Sequence, residues 1–169
     1  MAVENEKFKH LSDLIRGLRQ ARTFTDRPVD RDTILSIVEA ARLAPSANNS
    51  QPWRFHVYAD PNVVPQGERL GGGVLIAACA EEAILSNRWR EQPFIMIDVP
   101  IALTHMILHA QSLGLGFRLV FDFEKEDLAG LTDIPKGHKP VALLFIGRPE
   151  SFEETAVAPA EDVVIVDRF

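Results

Sequence analysis

Arg19 and Arg22 stand three residues apart in the string Arg19-Gln20-Ala21-Arg22-Thr23-Phe24. On a helix that spacing brings two guanidinium groups to one side, where two planar forks of donors can hold a dianion such as a phosphate. Two solvated arginines drawn to the negative end of a helix would look the same. A second feature is the string Ala44-Pro45-Ser46-Ala47-Asn48-Asn49-Ser50-Gln51-Pro52-Trp53, which holds prolines, amides and hydroxyls but no acid, base or strong nucleophile. Neutral hydrogen-bonding groups on a constrained loop suit the polar edge of a flat heterocycle. The same side chains can also serve only to satisfy the turn's own backbone. A third feature is Leu113-Gly114-Leu115-Gly116-Phe117. Glycine lets the backbone approach a ligand closely, and Gly114 equally suits a left-handed helix stop. The pair is not a dinucleotide fingerprint, because it follows a helix and lacks the third glycine.

Other chemistries find little support. There is no Gly-x-Ser-x-Gly elbow, and Ser46 has no neighbouring base in sequence. His105 and His109 have the spacing of a zinc helix, but Met106 stands where such helices carry Glu. The single cysteine, Cys79, excludes an internal disulfide or a cysteine zinc site, and its apolar surroundings read as core. No hydrolytic nucleophile and no metal site is therefore expected.

The elements that must position these strings can be read from periodicity. Phe8, Leu11, Leu14, Ile15 and Leu18 form one helical stripe, which predicts a helix over about Lys7–Gln20. Asp30 suits the N-cap of a second helix carrying Ile34, Ile37, Val38 and Ala41, closed by Pro45. Arg54–Tyr58 alternates as a half-buried strand does, and Val74–Ala80 is continuously apolar, as a strand buried on both faces is. Asp60–Gly73, with its prolines and Gly71-Gly72-Gly73, is expected to be loop. Asp98 is expected to cap a third helix whose first turn contains Pro100 and which Gly114 stops. Phe117–Phe123 and Val141–Gly147 read as strands, Lys125–Leu131 as a short helix, and Asp162–Val166 as a late strand. Helices and strands mix without strict alternation, which predicts an α+β fold in one domain spanning 1–169. With 46% hydrophobic and 25% charged residues the chain has the usage of a globular protein. Its formal charge of −6 argues against a nucleic-acid partner, which calls for clustered cations. No apolar run reaches the roughly 20 residues of a membrane span, and the polar start from Met1 to His10 does not resemble a secretory signal. A cytoplasmic location without membrane contact is the expectation.

Taken together, the chain resembles the FMN-dependent nitroreductase family. The matching residues are Arg19-x-x-Arg22-x-Phe24-x-x-x-Pro28-Val29, then Ala41-Arg42-x-Ala44-Pro45-Ser46-Ala47-x-Asn49-x-Gln51-Pro52-Trp53-x-Phe55. Asp98, the Ala110–Gly116 stretch, Ile134-Pro135, Pro140–Leu144 with Ile146-Gly147, and the tail Val163-Val164 with Asp167-Arg168-Phe169 follow in the family's order. The resemblance implies a central, mostly antiparallel sheet flanked by helices, and an intertwined homodimer in which residues 155–169 form an arm exchanged with the partner subunit. It implies FMN as cofactor, NAD(P)H as donor and a nitroaromatic, quinone or similar small acceptor. The alternative is a non-catalytic flavin- or ligand-binding protein on the same scaffold. By the same resemblance Arg19, Gln20 and Arg22 would hold the FMN phosphate. Pro45, Ser46, Ala47, Asn49 and Gln51 would line the ring, partly from the other subunit, and backbone at Leu115 and Gly116 would approach its polar edge. Three positions depart from the family pattern. Gln20 replaces a small hydroxyl, the Tyr58–Val74 segment is short, and the stretch after Gly147, often basic in the family, reads Arg148-Pro149-Glu150-Ser151-Phe152-Glu153-Glu154.

Overall fold

A computed structural model describes residues 6–60, 71–81, 88–89, 92–123, 131, 134–154 and 156–164. Helix α1 covers Glu6–Arg16, β1 Ala21–Phe24, α2 Arg31–Arg42, β2 Trp53–Tyr58 and β3 Val74–Glu81. A two-residue pair, β4 Arg88–Trp89 and β5 Gln92–Pro93, precedes α3 at Ile95–Ser112. Then come β6 Gly116–Val120, β7 His138–Gly147, β8 Pro149–Phe152 and α4 Ala160–Val163. The main sheet has the order β2-β3-β7-β6, with every neighbour antiparallel. A second ribbon, β1 with β8, joins it through a bridge from Gln20 to Phe117. This is the α+β architecture read from the sequence.

Strand β3 explains the core. From Val74 to Ala80 every residue is buried, because both faces of the sheet are covered. Ile76, Ala78, Leu144 and Ile146 face α2 and α3, where they meet Ile37, Leu103 and Met106. Leu75, Ala77, Cys79, Leu143 and Phe145 face the other way, against Leu131, Tyr58 and Phe123. Cys79 is wholly buried, and burial pushes its thiol up to about 12, which keeps it protonated and inert.

Helix α2 follows the sequence expectation. Asp30 Oδ1 accepts from the Thr33 N–H at 2.9 Å and Oδ2 from the Thr33 hydroxyl at 2.7 Å. Expectations at four elements are corrected. Helix α1 stops at Arg16, not Gln20, because Gly17 breaks it and the chain from Gln20 is drawn into pairing with β8 and β6. Helix α3 begins at Ile95, so Asp98 lies a full turn inside it, and its N–H bonds to Phe94 O at 2.8 Å. Pro100 thus sits beyond the first turn. Asp162 and Val163 end the short helix α4 where a strand was expected, and β6 stops at Val120, short of Phe123. The expected helix at 125–131 and most of the 60–73 loop lie outside the described residues. The glycines at the end of that loop have a steric reason. A Cβ on Gly71 would lie 2.4 Å from Thr25 O, and one on Gly72 2.4 Å from the Arg27 carbonyl carbon.

Candidate functional site

Helix α3 carries the residues singled out by sequence at its two ends. At the C-terminal end Gly114 adopts φ +73° and stops the helix, with its N–H bonded to Gln111 O at 3.0 Å. A cleft of about 160 Å³ opens there between Gly17, Arg19, Gln111, Leu115, Gly116, Pro149 and Phe152. The exposed Arg19 places its guanidinium carbon 5.1 Å from the centre of the Phe152 ring, a cation–π contact. Gly116 is buried, and a Cβ on it would stand 2.8 Å from Pro149 Cβ and 3.1 Å from Ala21 Cβ. Its missing side chain therefore lets β1, β6 and β8 close on one another.

Gln20 is engaged in the fold. Its Oε1 accepts the Leu119 N–H at 2.7 Å, and its backbone carbonyl accepts from Glu153 N at 2.9 Å. Arg22 is exposed within β1. Arg19 and Arg22 thus do not share a helix, and the helical spacing that would make them converge is absent. Arg19 lines the cleft and Arg22 does not.

The amide-rich loop lies at the other end of α3. Ala47–Asn49 form one 3₁₀ turn, and three non-glycine residues are left-handed: Asn48 at φ 53°, Asn49 at 55° and Gln51 at 45°. Asparagine tolerates this region and glutamine less so, at on the order of 1 kcal/mol each. Internal bonds hold the turn. The Gln51 N–H donates to Ser46 Oγ at 2.9 Å, Ser50 N to Ala47 O at 3.0 Å, and Gln51 Nε2 to Asn49 Oδ1 at 3.2 Å. Two side chains fasten it to the scaffold. Asp98 Oδ1 accepts the Ala47 N–H at 3.0 Å, and Arg54 donates to Trp53 O at 2.8 Å and Gln51 O at 3.4 Å while pairing with Glu81. Pro45, Asn49 and Gln51 remain exposed, while Pro52 and Trp53 are buried at the start of β2. Three residues along β2, His56 Nε2 meets His138 Nδ1 at 2.9 Å, and burial together with the charge of His138 holds the His56 pKa below 6.5.

From Asp98 to Ser112 the helix rises about 21 Å, at about 1.5 Å per residue. One chain therefore holds the cationic cleft and the amide loop far apart. Chemically, one end can hold an anionic group and the other can read an uncharged ring edge. His105 and His109 do not join either end. His105 Nδ1 lies 3.2 Å from Ala40 O and His109 Nε2 3.3 Å from Ser36 Oγ, so both stitch α3 to α2. Among the described residues no three potential metal ligands gather, and no helix is long and apolar enough to cross a membrane.

A model of the nitroreductase family matches residues 15–72 and 70–148. The chain belongs to that family. A protein of Archaeoglobus fulgidus provisionally named NADH dehydrogenase/NAD(P)H nitroreductase is 28% identical over 167 residues, covering 92% of this chain and 93% of its own. A nitroreductase family protein of Clostridium difficile has the same fold, with a TM-score of 0.79 at 22% identity over 93% of this chain and 98% of its own. So has a provisionally named nitroreductase of Desulfovibrio desulfuricans solved in complex with FMN, with a TM-score of 0.78 at 23% identity over 94% and 97% of the two chains. The nitroreductase fold accounts for the interrupted α and β order of this sequence. Sequence reasoning passed over Phe152 and Gln111 as lining of the cleft and misread the Asp98 carboxylate. Phe152 stands in an acidic run that gives no hint of a guanidinium partner. Asp98 could have been found by asking what a carboxylate does amid an apolar stretch such as Ile95–Val99.

Proposed function

We propose that this nitroreductase family member is an FMN-dependent oxidoreductase that takes a hydride from NADH or NADPH and passes two electrons to a nitroaromatic, quinone or similar small acceptor. The observation that carries this reading is the strained, exposed amide loop. Backbone held left-handed at Asn48, Asn49 and Gln51 presents neutral amides from a rigid base, with no acid or strong nucleophile among the loop's own residues. The donor set fits FMN. Exposed Arg19 and Arg22 supply cationic forks for a phosphate, Asn49 and Gln51 supply amides for the ring, and Ser50 Oγ and Asp98 Oδ2 are buried polar atoms without a partner among the described residues.

When bound, FMN supplies the centre that accepts a hydride and returns it. This chain's residues bind and orient. Arg19 would hold the phosphate end while its face rests on Phe152, and the Asn49 and Gln51 amides would orient the ring by hydrogen bonds. Gln20, bonded to Leu119, positions the segment that carries both arginines.

A cleft of about 160 Å³ is too small for a whole cofactor, since ligand sites run to roughly 300–1,000 Å³. We place the complete site between two copies of the chain, the loop of one meeting the arginines of the other. An open apolar groove of about 470 Å³ between α1, α2 and α3 supports this pairing, together with the exposed Leu43, Met96 and Ile97. Residues 155–169 are read as an arm reaching the partner, in keeping with Val157 at 87% exposure. The test is anaerobic titration. The protein is expected to bind FMN, and its visible absorbance to bleach with NADH or NADPH and return with a quinone or nitroaromatic. Bound flavin that neither nucleotide reduces would leave only the binding role, and failure to bind FMN would overturn the assignment.

A further inference from the structure

Asp98 is 2% exposed, a carboxylate inside an apolar helix. One oxygen, Oδ1, accepts the Ala47 N–H at 3.0 Å, while Oδ2 is buried without a donor among the described residues. Stability alone does not account for it, because a half-satisfied buried carboxylate is a poorer core element than an apolar side chain of its size. The helix offsets part of that penalty, since Asp98 lies near the positive end of α3. What the arrangement provides is register. Ala47 opens the 3₁₀ turn, and the residues after it must be left-handed for the Asn49 and Gln51 amides to stand exposed. The other bonds that shape the turn are internal to it and would travel with it if it shifted. Arg54 holds the far end, from an exposed position on β2. Asp98 fixes the near end to the longest helix of the fold.

We infer that Asp98 is a positioning residue for the proposed flavin site, setting the 46–51 loop against α3 through Ala47 without touching the cofactor's reacting atoms. The inference rests on the loop being the ring-binding element. Asp98→Asn keeps an acceptor oxygen for the Ala47 N–H, whereas Asp98→Ala removes it. FMN affinity, read by flavin fluorescence, is expected to fall by about ten-fold or more in Asp98→Ala and to stay within about three-fold of the parent in Asp98→Asn. The loss is expected to be non-additive with Gln51→Ala, because both changes act through one loop. Additive losses, unchanged affinity in a folded Asp98→Ala protein, or an Asn variant as weak as the Ala variant would overturn the inference. Hydrogen exchange of the parent protein without flavin supplies a second reading that needs no variant to fold. The Ala47 amide is expected to be protected well beyond the exposed Asn48 amide, and equal exchange would refute the tether. If the parent binds no FMN, the functional assignment fails, while the Ala47 exchange still judges the tether.

Discussion

At the scale of single residues, Gln20 and Arg22 divide the work of one short segment. Arg22 is exposed and, on the proposed function, holds the phosphate, so Arg22→Ala is expected to leave the fold intact and weaken FMN by about 1.5–3 kcal/mol, the range for a bond to a charged group. That corresponds to about ten- to over one-hundred-fold in a flavin titration, and unchanged affinity would remove Arg22 from the site. Gln20 is expected to behave oppositely. Gln20→Ala strands the half-buried Leu119 N–H and should lower unfolding stability by about 1–3 kcal/mol in urea denaturation. A variant with parental stability would contradict this. The residue types announced part of this chemistry. Guanidinium forks and neutral amides were legible as the candidates that the proposed phosphate and ring contacts use. That Gln20 accepts from a strand 99 residues away was not, because no local pattern encodes a donor so distant in the sequence.

At the scale of elements, legibility followed locality. The start of α2 could be read because the cap, Asp30 to Thr33, lies within one turn. The end of α1 could not, since pairing of Ala21 with Phe152 and Phe24 with Pro149 outweighs helix propensity only after distant chain arrives. Strand β3 was legible from its unbroken apolar run, which signals burial on both faces whatever the direction of its neighbours. Such packing leaves little slack. Leu144→Ala, at the centre of β7, is expected to cost about 2–5 kcal/mol by chemical denaturation. The His56–His138 contact joins β2 to β7 across β3. Burial and the charge of His138 hold the folded-state pKa of His56 below the 6.5 of a free imidazole, so below that pH the unfolded chain binds more protons. Stability should therefore rise with pH through this range and fall on acidification. Urea midpoints at about pH 5 and about pH 7 should differ less in His56→Asn than in the parent. An unchanged difference would release His56 from that role.

At the scale of the whole molecule, the order β2-β3-β7-β6 and the course of α3 determine what the site can be. Helix α3 holds the amide loop at one end and the Arg19 cleft at the other, with a rise of about 21 Å from Asp98 to Ser112 between them, and on the proposed function each is half of a site. The sequence named residues at both ends of α3, but not their separation, nor Phe152 and Gln111 in the cleft. That separation arises from the length of one helix and the places where two loops meet it.

Complementation between inactive chains examines the two-chain cradle most directly. One variant carries Arg19→Ala and Arg22→Ala, the other Asn49→Ala and Gln51→Ala, and each alone is expected to bind FMN weakly. In a co-expressed mixed dimer, a site shared between subunits regains one intact set of arginines facing one intact loop. FMN should then bind tightly at one site per mixed dimer. Mixed dimers that bind no better than either parent variant would mean that each chain builds its site alone, contrary to the geometry of α3.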